Sequence, residues 1–525
     1  MRGFTLGFIS CLTLAGCGLS RPARYPRIVL VSLDTLHVDW TSPYNSKVST
    51  TPFLSRFASE GTRFARAYTL VPITLPSHAS LMTGLSPERL GVFANGDEVP
   101  EIATTLAEHL SREGYRTAAF VSLGVLRPAF RLDQGFEHYP DPFESGPARW
   151  YRTADEVLDP ATTWIEEHAN EPFFLWVHFS DPHAPYLPPG ASPDTELHLD
   201  DEPLRRVSLV GGETYRISLS LPPGRHRLRF VSLREPTPDD RPETAIELRF
   251  GETDSLARWA ASLPGEGGIP LDPEYELELS NPEREAVDVE LHFWGNLARP
   301  TPADVLPGYE AEVEYIDRSL ARLDALLDSL GTPENTLSIL VSDHGEGLFR
   351  HDFLGHTTEV FEDQLRILWM MRGPGIPVGR VIEEGAARIT DVAPTLLDLV
   401  GVGSAEMDGR SWAQCLGGGP CPAEEPFWAF GLDHDPKTVT SMAGYDWPYK
   451  WIWHRGLSRS GFDLARDPGE EMDLLLAPGP GNPESLKRLA ESFPGVRRRL
   501  RQAIREASSR TRDREQEEML RSLGY

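Results

Sequence analysis

Five stretches of this chain are near-continuous apolar runs that end in a polar tip. They read RIVLVSLDTL (27–36), RTAAFVSL (116–123), PFFLWVHFSDPH (172–183), NTLSILVSDHGEG (335–347) and QLRILWMMRGPG (364–375). A half-exposed strand alternates polar and apolar residues, whereas a run without alternation suits a strand buried on both faces of a parallel sheet. Helix-patterned segments lie between the runs. TPFLSRFASEGTRF (51–64) carries Phe53, Leu54 and Phe57 and stops at Gly61. EIATTLAEHLSREGY (101–115) stops at Gly114, and YEAEVEYIDRSLARLDALLDSLG (309–331) is a long amphipathic helix ending at Gly331. Strands alternating with helices predict an α/β fold with a mostly parallel sheet sandwiched by helices. Ligands then belong at the carboxyl ends of the strands, where Asp34, Asp181 and Asp343 stand.

Residues 191–300 break this pattern. Short alternating runs such as TYRISLSLPPGRHRLRFVSL and AVDVELHFWG are joined by Gly, Pro and Asn turns. They predict an antiparallel β-sandwich inserted into the α/β domain. Residues 479–525 read as an Arg-rich helical segment, most simply a solvated helix face.

The chain has 525 residues and a formal net charge of −28. The negative charge is spread along it rather than held in one block, which argues against a nucleic-acid partner but not against an anionic substrate held by metal. Lysine is confined to Lys47, Lys437, Lys450 and Lys487.

Residues 1–24 begin MRGFTLGFISCLTLAGCGLS, a charged start followed by an apolar run too short to remain as a membrane span. LAGC (14–17) resembles a bacterial lipobox with Cys17 as the lipidated residue. An ordinary cleaved signal is the alternative. The expectation is an exported lipoprotein anchored to the membrane through lipid, periplasmic or outer-membrane in a cell with two membranes. Cys415 and Cys421, in CLGGGPC, are expected to pair as a local disulfide in an exported protein.

Four pieces carry chemistry: strand-end Asp34; Thr74 and His78 in TLPSH; Asp181 and His183 in SDPH; and Asp343 and His344 in SDHGEG, with His356 beyond. Singly each is weak, since a strand-end aspartate is usually a cap or turn residue. In order, they and the blocks VLVSLDTLHVDW, LPSHASLMTGLSPERLGV, FFLWVHFSDPHAPY, VSDHGEGL, ITDVAPTLLDLVG and FDLARDPGE resemble the sulfatase and alkaline-phosphatase superfamily. The resemblance implies an alkaline-phosphatase-like fold and an ester hydrolase. Its catalytic domain would run over 25–190 and 301–478, around the insert.

The resemblance also exposes departures. Sulfatases carry Cys or Ser in Cys-x-Pro-x-Arg and oxidise it to formylglycine. Thr74 is a secondary alcohol whose oxidation would give a ketone, and His78 replaces the arginine. The lysines of sulfatase sites are missing, with His356 near one of their places. The block Thr74-Leu75-Pro76-Ser77-His78 is similar instead to the nucleotide pyrophosphatase/phosphodiesterase branch, with Asn95 at the spacing of its oxyanion-binding Asn. By that likeness Asp34, Thr74, Asp343 and His344 would hold one metal, and Asp181, His183 and His356 a second. Asp181 and His183 are two apart here rather than four, so His183 binding substrate is the alternative. Thr74, His78, Asn95 and His183 are the expected catalytic residues.

A threonine hydroxyl needs a base or a metal to act as a nucleophile. Mixed carboxylate and imidazole ligands put zinc first among divalent metals, ahead of manganese or calcium, as one ion or two. The leading expectation is phosphoester hydrolysis, on a diester or by headgroup transfer, of an anionic ester of the cell envelope. The alternatives are a sulfuric ester hydrolase without formylglycine and a non-catalytic lipoprotein that binds envelope polysaccharide.

Overall fold

The structure is a computed structural model that describes residues 25–143, 151–184, 186, 195–200, 202–207, 214–232, 249–250, 274–281, 287–294, 302–330, 335–403, 406–433, 438–476 and 483–508. Cys17 and its lipobox lie outside these residues.

A seven-stranded sheet forms the centre. Its strands are β1 (Arg27–Leu33), β2 (Thr62–Phe64), β3 (Arg116–Phe120), β4 (Phe173–Phe179), β5 (Thr336–Ser342), β6 (Trp369–Arg372) and β7 (Arg380–Ile382), in the order β7-β2-β6-β5-β1-β4-β3. Every residue of β1, β4 and β5 is buried, as unbroken apolar runs require. These strands run parallel, and Leu33 is in register with both Ser342 and Phe179. The next residues of the three strands, Asp34, Asp343 and Ser180, therefore emerge at one edge of the sheet.

The run at 364–375 was expected to be parallel like the others. It forms β6, which pairs antiparallel with β5 and with β2. Burial on both faces yields an apolar run whichever way a strand points. The segment from Asp343 to Leu368 leaves and rejoins the sheet at the same end, so β6 returns in the opposite direction.

Helices cover both faces. On one side lie α2 (Thr74–Thr83), α3 (Leu106–Arg112) and α6 (Val392–Val400), packed through Leu75, Met82, Leu106, Leu110 and Leu396 onto Phe174, Trp176 and Ile339. On the other lie α1 (Pro52–Glu60), α4 (Ala154–Glu167) and α5 (Pro302–Ser329), packed through Phe57, Val157, Ile165 and Ile316 onto Val31, Leu175 and Leu340. Helix α3 begins at Thr105 rather than near residue 101, because the Thr105 and Glu108 side chains form a capping box there.

The strands described between residues 195 and 294 form two antiparallel sheets, of four and three strands. A further four-stranded antiparallel sheet (427–463) carries the C-terminal helix α7 (Glu484–Ser508) on its face. Cys415 and Cys421 are joined by a disulfide. Among the described residues no helix is long and apolar enough to cross a membrane.

Candidate metal centre and nucleophile

The chain turns sharply after β1. Thr35 has φ 55°, a left-handed conformation that is unfavourable for a β-branched residue. The turn is clamped on both sides. The Thr35 N–H donates to Asp343 Oδ1 (3.3 Å), and the buried Tyr309 hydroxyl of α5 donates to the Thr35 carbonyl (2.8 Å) while accepting from the His37 N–H (2.8 Å). Strain held this firmly fixes the direction of the Asp34 carboxylate.

That carboxylate is buried and split in function. Oδ2 lies 3.1 Å from His178 Nε2, and Oδ1 has no partner. His178 is itself anchored: the Ser122 N–H donates to its Nδ1 (3.3 Å), and Ser122 Oγ lies 2.7 Å away. With Nδ1 accepting, the proton sits on Nε2 and is donated to Asp34. His178 carries no motif of its own and was not singled out from the sequence. Its only signal is its place on β4, in register with Ser32 of β1.

Asp343 follows β5 in the same way. Its Oδ1 accepts from the His344 N–H (2.7 Å), and its Oδ2 is buried without a partner, 3.3 Å from His344 Nε2. His344 Nδ1 is 2.9 Å from the Gly345 carbonyl, which leaves Nε2 unprotonated, unpaired and 3.9 Å from Asp34 Oδ1. Gly345 is required here: a Cβ at that position would lie 2.0 Å from the Asp363 carbonyl.

Helix α2 brings the nucleophile candidate. Thr74 is its first residue, fully buried, and its Oγ1 has no hydrogen-bond partner. Ser77 Oγ donates to the Asp343 carbonyl (2.7 Å), tying the first turn of α2 to the end of β5. His78, expected to be catalytic, has a positioning place instead. Both of its ring nitrogens are engaged, Nδ1 by the Thr74 carbonyl (2.8 Å) and Nε2 by Ser32 Oγ (3.0 Å), which in turn accepts from Trp176 Nε1 (2.8 Å). It holds the backbone of Thr74, and its Nδ1 lies 3.5 Å from Asp343 Oδ2.

The start of α2 is not an open ring of amide donors. The Leu75 N–H donates to Asn95 Oδ1 (3.0 Å), Pro76 has no N–H, and the Ser77 N–H goes to the Ile73 carbonyl. The bond to Leu75 fixes the Asn95 carboxamide beside Thr74 and leaves Nδ2 as its donor.

Four buried atoms without partners thus belong to Asp34, Thr74, Asp343 and His344. An unsatisfied buried polar group costs about 1–3 kcal/mol, more when charged. The electrostatics carry the same conflict. Burial and the neighbouring Asp34 charge push the Asp343 carboxyl well above its usual range. Asp34 is held below its usual range, its burial outweighed by His178 and His344. Burial and the nearby His356 push His344 down to about 3, so its imidazole is neutral, as a ligand must be. Asp34, Asp343 and His344 bring ligand atoms within 4.8 Å of one another. A divalent cation would satisfy the unpaired atoms and cancel the carboxylate repulsion, so these residues fit a metal.

A second compact group, Asp34, His78 and His178, shares Asp34, but its histidines already use their nitrogens as described. The expected second set is not brought together. Asp181 Oδ1 accepts from the Ala154 N–H (3.0 Å) at the start of α4, while its Oδ2 is buried without a partner, and Asp181 is not part of either compact group. Burial raises it to about 7. His183 and His356 do meet, with ring centres 5.2 Å apart, and His356 also lies against His344 at 4.6 Å. Glu346, buried and missed from sequence, sits 3.2 Å from His356 Nδ1. Thr357, with φ 93°, holds His356 on a strained backbone.

A sulfatase family model matches residues 26–402. Fold and site together define a hydrolase of ester bonds, and the chain belongs to the sulfatase family. It is 22% identical over 492 residues to a Delta 4,5-hexuronate-2-O-sulfatase of Bacteroides thetaiotaomicron, covering 89% of this chain and 88% of that one. It is 27% identical over 399 residues to a choline-sulfatase of Rhizobium meliloti, covering 74% and 69%. Among solved structures, a phosphonate monoester hydrolase of Agrobacterium radiobacter superposes with a TM-score of 0.55 at 19% identity, covering 92% of this chain and 96% of that one.

Proposed function

We propose that the chain is a metal-dependent phosphoester hydrolase that uses Thr74 as its nucleophile. The observation that carries this is the unpaired, buried Thr74 Oγ1 at the start of α2, tied to the Asp34–Asp343–His344 cluster by Ser77 and His78. A divalent metal there, zinc before manganese or calcium, would lower the hydroxyl pKa and neutralise charge on the ester. Thr74 Oγ1 forms a bond to phosphorus as the leaving alcohol departs, and water or an acceptor alcohol then releases the phosphoryl group from threonine. Asn95 Nδ2 donates to the developing oxyanion. His183 and His356, next to His344, bind ester oxygens. The substrate class is an anionic ester of the cell envelope, a diester or a headgroup for transfer. The lipobox at Cys17 supports an exported, lipid-anchored protein whose catalytic halves, 25–190 and 301–478, flank the insert.

The sulfatases among its relatives favour a second reading, sulfate-ester hydrolysis without formylglycine. A non-catalytic polysaccharide-binding role fits poorly with the buried, unpaired ligand atoms of Asp34, Asp343 and His344 within 4.8 Å of one another. The deciding experiment is to measure bound metal in the purified protein and turnover of aryl phosphate, bis-aryl phosphate and aryl sulfate. Diester turnover that needs the metal supports the reading, and sulfate turnover alone rejects it.

A further inference from the structure

Helix α7 bears a concentration of positive charge, with Arg497, Arg498, Arg499, Arg501 and Arg505 close together in sequence. Arg497, Arg501 and Arg505 recur every four residues and so share one face, spaced about 6 Å apart along the helix. With Arg498, Arg459 and Phe493 they line an open groove of about 650 Å³. Among the described residues none of these five arginines has a carboxylate partner, although Arg488 and Lys487 on the same helix do. Like charges at this spacing destabilise a helix. Burial and the charges of Arg501 and Arg455 pull the Arg497 guanidinium below its ordinary value, and its Nε is buried without a partner. A chain with 79 acidic and 51 basic residues has acid to spare for pairing, yet among the described residues none pairs with these arginines.

We infer that this groove binds a linear anionic polysaccharide, whose successive sulfate, phosphate or carboxylate groups meet the arginines in turn. Two features select this occupant. A helix that lies on a membrane exposes an apolar face, but Leu489, Phe493, Leu500 and Ile504 of α7 are buried against the sheet. Single-stranded nucleic acid needs exposed rings for stacking, but Phe493 is only 5% exposed and Arg497 lies over the Trp453 ring at 4.1 Å. The groove would hold a polymer independently of the ester chemistry at Thr74.

The test is direct binding of the full chain to dextran sulfate, to a thymidine homopolymer of matched charge and to phosphatidylglycerol vesicles. The variants are Arg501→Ser/Arg505→Ser and Arg459→Ser/Arg498→Ser, all at exposed positions, with thermal melting as the folding control. The expected result is dextran sulfate binding that weakens with salt and falls roughly tenfold or more in each variant, with turnover of small aryl esters unchanged. Dextran sulfate affinity equal in wild type and both variants would overturn the inference. So would homopolymer or vesicle binding as tight as dextran sulfate that the same substitutions abolish. Binding is read without turnover, so this inference fails separately from the proposed activity.

Discussion

His178 Nε2 stands 3.1 Å from Asp34 Oδ2, and this one bond decides which oxygen of Asp34 is offered to a metal. With Oδ2 occupied, Oδ1 is left facing His344. Second partners of this kind typically change metal affinity 10- to 100-fold. His178→Phe, which keeps the ring volume and removes the donor, should weaken metal binding by roughly that factor. Ser122→Ala, which leaves the backbone donor to His178 in place, should cost less. Competitive titration with a chromophoric chelator measures both. Equal affinity in wild type and His178→Phe would remove the proposed link.

Removal of the metal should also cost stability. Asp34 and Asp343 then face each other across a buried space with no cation between them. Chelation should lower the melting temperature, and added zinc should restore it in proportion to the logarithm of its free concentration. A melting temperature indifferent to chelator and zinc would show that no ion sits at this cluster.

A pH effect is expected from a different buried group. Lys450 lies between Glu362 (3.1 Å) and Glu470 (2.6 Å), and Asp363 is buried close by with neither oxygen bonded. Burial, and then the Glu470 charge, raise Asp363 to about 8; burial, only partly offset by Lys450, raises Glu470 to about 7. Both pKa values are higher folded than unfolded, so the folded state holds more protons. The stabilisation is complete below the unfolded values, near 4, and is lost as pH rises through about 7 to 8. Thermal melts should therefore fall between about pH 4 and about pH 8 and level off above that, and Asp363→Asn should flatten that fall. An unchanged slope in the variant would assign the pH effect elsewhere.

Much of the fold was legible because the physics that builds it is local. The unbroken apolar runs at 27–33, 173–179 and 336–342 could only be strands buried on both faces, and Gly61 marked where α1 ends. Strand direction was not legible in β6, since burial says nothing of polarity. Asp34, Asp343 and His344 were legible from motif order, and their ligand atoms lie within 4.8 Å of one another. Asp181 was read as a ligand through the likeness to the nucleotide pyrophosphatase/phosphodiesterase branch. One of its oxygens holds the start of α4, a contact 27 residues away in sequence that spacing does not encode. His178 and Glu346 were missed for the same reason: their roles come from register and loop closure rather than from any local pattern.

Thr74→Ala removes the only hydroxyl that the account allows to attack. Turnover should fall at least ~1000-fold, as nucleophile removal does elsewhere, while Asp34, Asp343 and His344 still retain metal. Thr74→Ser should keep part of the rate.

The most direct measurement is to quench the enzyme in acid during turnover of an aryl phosphodiester and map it by mass spectrometry. A phosphoryl group is expected on the peptide that holds Thr74 and is expected to be absent from Thr74→Ala. Turnover that persists in Thr74→Ala, or an adduct on another residue, would contradict Thr74 as the nucleophile.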